Sequence, residues 1–115
     1  MYIINRSVAI IRPKQPFIDW ANQLPDAANL QVTADNFKTD CKAILISEYS
    51  TDEEAREIIN EMWEDIFVDE LFGWCTNESW WPKNLTKDMF WNWFDVEFHS
   101  FVIDPYEDEI EKEEQ

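Results

Sequence analysis

The chain has a single histidine, His99, and Glu97 stands two residues before it. In an extended segment residues two apart share a face. The pair could therefore act as a carboxylate-backed general base or supply part of a metal site. A protein zinc site takes three or four side-chain ligands, and the sequence has no second histidine, so no metal and no cofactor is expected. Cys41 or Cys75 could meet His99 in space as a nucleophile pair, but neither sits in a local signature, and no catalytic residue is assigned. The competing reading makes His99 structural, tying its strand to a neighbouring element through a hydrogen bond. Arg12 and Lys14 flank Pro13 and could form a small anion site; in so acidic a chain, ion pairs with Asp19 or a long acidic helix are the stronger expectation. Arg12, Glu97 and His99 together form the candidate polar site.

A second kind of chemistry lies in the charge. The 115 residues carry a net charge of −16. Residues 52–70 hold nine acids against Arg56, and residues 104–115 hold seven against Lys112. Binding to nucleic acid needs cations that displace counterions from phosphates, and an anionic membrane repels such a chain. Neither is an expected partner. Within the first cluster, Glu53, Glu57, Glu61 and Glu64 recur at helical spacing, so like charges adjoin and each pair costs a few tenths of a kcal/mol. Such a row could imitate phosphates and occupy the groove of a basic protein. The plainer alternative is a solvated helix face.

Aromatic residues are the third resource: eight Phe, seven Trp and three Tyr. Residues 73–82, GWCTNESWWP, contain the only glycine and three tryptophans. Adjacent side chains of an extended segment diverge, so Trp80 and Trp81 cannot both cover one surface. Trp74 and Trp81 are expected as a lid over the core. Trp80 and Trp91, the latter off the face set by Phe90, Trp93 and Phe94, are expected as a contact patch, since exposed Trp is enriched at interface hot spots.

These groups must be positioned by a small scaffold. Ser7–Pro13 reads as a strand, with Tyr2 or Ile3 as its earliest start, and Lys42–Tyr49 and Val96–Ile103 read as two more. Phe17, Trp20, Ala21 and Leu24 mark a helix opened by Pro16 and stopped by Pro25. Thr33 could cap a short helical piece anchored by Phe37. Thr51 with Glu54 has capping-box spacing, and the apolar period from Ala55 to Phe67 marks a long helix that leaves at Gly73. A last helix runs from Lys87 to about Phe94. The order β-α-(α)-β-α-α-β predicts one α+β domain over residues 1–104, a sheet of about three strands backed by helices. Residues 105–115 are expected to be a disordered acidic tail. One glycine excludes a glycine-rich phosphate loop. The N-terminus lacks a signal-peptide pattern, and two widely spaced cysteines suit a reducing cytoplasm.

Arg12-Pro13-Lys14-Gln15-Pro16-Phe17, Gly73-Trp74, Trp81-Pro82 and the run WFDVEFHS at residues 93–100 resemble a family of short, acidic, uncharacterised bacterial proteins. Met89, Trp91 and Trp93 depart from that pattern, which has acidic or polar residues around the last helix. The resemblance implies a fold unit and a bacterial setting, with no activity attached. The leading functional expectation is a protein–protein interaction module that binds a basic partner, as an inhibitor, an antitoxin or immunity protein, or a nucleic-acid mimic. Two alternatives stand beside it. One is a ligand-binding or enzymatic domain around Glu97, His99 and the Trp loop; the other is a homo-oligomer burying the aromatic patch.

Overall fold

The computed structural model describes residues 1–25, 31–38 and 40–115. Its order is β1 (Tyr2–Ile3), β2 (Ser7–Pro13), α1 (Gln15–Asn22), β3 (Lys42–Ile46), α2 (Asp52–Trp74), α3 (Lys87–Trp93), β4 (Phe94–His99) and β5 (Ile103–Asp104), with 3-10 turns at Ala34–Phe37 and Glu78–Trp80. This is an α+β domain, a small sheet backed by helices.

The β-branched run of β2 makes it the central strand of an antiparallel sheet ordered β3-β2-β4. Its alternation sends Ser7, Ala9, Ile11 and Pro13 inward and leaves Val8, Ile10 and Arg12 half-buried on the other face. Ile10 sits opposite Ala43 on one side and Glu97 on the other, so Glu97 belongs to that outer face. The three helices pack on the inner face. Phe17, Phe67, Phe90 and Phe94 are fully buried there, and their rings meet at 5.1 to 6.1 Å in tilted and edge-on contacts.

Local chemistry explains the helix ends. The Thr51 side chain accepts from the Glu54 amide at 3.1 Å, as its spacing predicts, while the Glu54 carboxylate accepts from the Ser50 amide at 2.9 Å, one residue before the cap. Thr86 caps α3 in the same way through the Met89 amide. Thr33 and Asn36 form a reciprocal cap on the Ala34–Phe37 turn. Contrary to expectation, α2 does not leave at Gly73 but runs on to Trp74, with Cys75 as an extended C-cap. The backbone at Gly73 has no positive φ and nothing lies within 4 Å of where a Cβ would stand. The left-handed residue is instead Asn84, at φ 57°, which turns the chain before α3.

The strand boundaries also differ from expectation. The third expected strand starts earlier, at Phe94, and stops at His99; Ile103 and Asp104 pair instead with Ile3 and Tyr2 in a separate two-stranded ribbon. β3 stops at Ile46 rather than Tyr49. The Ser7 hydroxyl donates to the Ser100 carbonyl at 3.2 Å, where the chain leaves the main sheet. Residues 105–115 form no helix or strand and are exposed.

Candidate functional site

The expected polar site forms on the outer face of the sheet. Arg12 Nη1 donates to Glu97 Oε1 at 3.0 Å, joining β2 to β4, and His99 Nε2 donates to Glu97 Oε2 at 2.6 Å. The hydrogen bond from His99, then that from Arg12, hold the Glu97 carboxyl below its usual range. Arg12 pairs with Glu97 rather than Asp19, whose carboxylate accepts from Gln15, and Lys14 donates to the Trp91 carbonyl. Among the described residues the partner of the His99 ring, Glu97, lies on its own strand, so no hydrogen bond from the ring ties β4 to another described element.

His99 also rims a polar cleft with Tyr49, Ser50, Asp52 and Ser100, beside the start of α2. The Trp loop lies at the other end of that helix. Asp52 and Gly73 are 21 residues apart, about 32 Å at helical rise. The structure does not bring Glu97 and His99 together with the Trp loop.

The loop has its own internal ties. Asn77 Oδ1 accepts from the Ser79 amide and hydroxyl, setting the turn at Glu78–Trp80. Trp81 is half-buried against the core and its Nε1 donates to the Cys75 carbonyl at 2.7 Å, a lid position as expected. Trp74, also expected as a lid, is 39% exposed and meets the Phe37 ring edge-on. Trp20 Nε1 donates to the Trp80 carbonyl at 3.0 Å, which fixes that backbone while the Trp80 indole stays 52% exposed. Trp80, Trp74, Phe72 and Leu24 line a groove of about 550 Å³ between the ends of α1 and α2.

Trp91 is elsewhere. Its Nε1 donates to Asn60 Oδ1 at 2.8 Å, and the Arg56 guanidinium stacks over its ring at 3.8 Å. Asn60 precedes Phe72 by 12 residues, about 18 Å along α2. The expected Trp80–Trp91 patch is therefore two separate places, and Trp91 is committed to packing on α2.

No protein-family model matches this chain, and no curated protein or solved structure is similar to it.

The acidic row stands out on α2. Glu53, Glu57, Glu61 and Glu64 are all exposed, and none is ion-paired among the described residues. Val68 and Phe72 continue the same side at one-turn steps beyond Glu64. The row thus leads into the aromatic groove, over about 28 Å from Glu53 to Phe72. No helix among the described residues is long and apolar enough to cross a membrane, and no group of three or more His, Cys, Asp or Glu converges as a metal site among them.

One acid is not part of that row. Glu70 is 7% exposed on the core side of α2, and its Oε1 has no hydrogen-bond partner among the described residues. Burial pushes its pKa up to about 7, with Lys42 opposing and Asp69 adding to the rise. Composition counts Glu70 among nine acids, whereas the helical period sets it apart. It stands three, four and seven residues after Phe67, Ile66 and Trp63, on the apolar stripe.

Proposed function

We propose that this chain is a bacterial, cytoplasmic protein–protein interaction module that captures a basic partner along the acidic side of α2. The supporting observation is the line of four exposed glutamates, none ion-paired among the described residues, that runs into an aromatic groove. Carboxylates on one rigid helix keep fixed axial spacings of about 4.5 to 6 Å, so a cationic surface meets a pre-ordered array and little side-chain placement is left to chance. The charge steers encounter and selects the sign of the partner. The groove supplies what charge alone lacks: Trp80 and Phe72 offer apolar contact for an anchoring side chain of the partner. A nucleic-acid-binding protein whose phosphate-binding surface is occluded is the specific form, with an antitoxin or immunity protein as one biological setting.

Immobilised wild-type chain and the Glu57→Gln/Glu61→Gln/Glu64→Gln variant, exposed to the same bacterial lysate, test the reading. The expected outcome is a basic protein retained by wild type and lost by the triple variant. Undiminished retention by the variant would contradict it.

A further inference from the structure

A cavity of about 260 Å³ opens where the segment before β3 meets the C-terminal part of α2. Its apolar walls are Ile11 and Pro13 of β2 and Phe37 of the Ala34–Phe37 turn. Among the described residues its polar lining is Asp40, Cys41, Lys42 and Glu70. The volume lies below the range of about 300–1,000 Å³ for drug-sized ligands and suits a short carbon chain with one polar head.

Glu70 is more than nine-tenths buried, yet Oε1 meets no donor among the described residues. Proteins pair nearly all such buried atoms. Glu70 is a lining residue of the cavity, so a rotation of its carboxyl group presents this unsatisfied oxygen to a guest. The surrounding charges specify the guest's sign. Lys42, the cation in the lining, is ion-paired with Asp69 of α2. Arg12 of β2 is held on the outer face of the sheet by Glu97. The Cys41 thiol is pushed up by burial, with Arg12 opposing and Glu70 and Asp40 adding, so it lines the cavity as a neutral group at neutral pH. Asp40 and Glu70 remain, neither ion-paired among the described residues.

We propose that this cavity binds a primary alkylammonium group, which donates to Glu70 Oε1 while its carbon chain lies against Ile11, Pro13 and Phe37. An apolar stem with a cationic head matches an aromatic and aliphatic wall ending in a carboxyl group. The source is a free amine or the lysine side chain of a bound protein; both carry the same chemistry. Glu70 faces the sheet and the acidic row faces away from it, so the site stands apart from the proposed interaction surface.

The guest requires the ionised carboxylate. Glu70 keeps its proton up to about pH 7, so affinity rises with pH through that value, about tenfold between pH 6 and 8.5. Titration of n-butylammonium chloride into the full chain at constant ionic strength tests this, read on the Cys41 and Lys42 amide resonances. The expected result is a saturable shift with a Kd about tenfold lower at pH 8.5. Glu70→Gln is expected to abolish it. Because the amide resembles the protonated acid present at pH 6, the variant's fold should persist, and its amide spectrum checks that directly. Asp40→Asn, at an exposed position, should weaken binding without removing it. The triple variant Glu57→Gln/Glu61→Gln/Glu64→Gln should leave binding unchanged, which separates this site from the acidic row. Binding of Nα-acetyl-lysine methylamide would support a protein lysine as the source; its exclusion, with n-butylammonium still bound, would support a free amine. Absence of a saturable shift, the same Kd at both pH values, or unaltered binding by Glu70→Gln would overturn the proposal.

Discussion

Glu70 carries its acidity at a cost that depends on pH. Its ordinary pKa is 4.5, and in the folded chain it is about 7. Between those values the unfolded chain has released the proton and the folded chain still holds it. The folded state then binds more protons, so stability falls as pH rises through the window. A full unit of displacement is worth about 1.4 kcal/mol, which makes the loss up to about 3 kcal/mol by pH 8. Glu70→Gln removes the titration. Denaturant unfolding is expected to give variant and wild type similar stability near pH 4.5 and to favour the variant increasingly toward pH 8. A stability difference that does not change with pH would contradict the buried, unpartnered assignment. The same position was legible in the sequence through its spacing from Trp63, Ile66 and Phe67, but counting acids along the segment conceals it. Trp91 is the converse case. Its position off the helix face suggests exposure, whereas Asn60 and Arg56 reach it from α2. No local pattern reports a partner 31 residues away.

At the scale of elements, helices were the most legible because capping and period act over a few residues. Thr51 caps as its spacing from Glu54 predicts, and the long apolar period marks α2. Its end was misplaced because Gly73 suggests a left-handed exit, and the structure uses it as an ordinary helical residue. A methyl group at Gly73 meets nothing within 4 Å and restricts the unfolded chain. Gly73→Ala is therefore expected to stabilise the protein by about 0.5 kcal/mol in thermal or denaturant unfolding; a loss of stability would mean the helix end needs glycine after all. β1 and β5 escape sequence reading for a different reason. Each is two residues long, and only their mutual pairing makes them strands. The acidic row was legible in full, since exposure follows from helical spacing. Its continuation through Val68 to Phe72 and the groove required the position of the Trp80 loop, which is set by Asn77, Trp20 and Cys75.

For the whole molecule, charge and shape act together. The radius of gyration is 15.8 Å, against about 13 Å for a compact chain of this size, and the long axis spans 45 Å. α2 is about 34 Å long at 23 residues. It holds nine acids against Arg56, most of them exposed. Self-repulsion in such a chain is screened by salt, so raising NaCl from about 0.01 to 0.15 M, where the Debye length falls to about 8 Å, is expected to raise Tm by a few degrees in a calorimetric scan. An unchanged or lower Tm would show that repulsion along α2 is not a significant cost. On the proposed function, this cost is retained because the row is a binding surface. The most direct test is the affinity of the captured basic partner as a function of salt, for wild type, the triple Gln variant and Trp80→Ala. Wild type should weaken steeply with salt. The triple variant should bind weakly with a shallower dependence, and Trp80→Ala should lose affinity while keeping the wild-type salt slope. Equal affinity and equal slope in wild type and the triple variant would contradict the account.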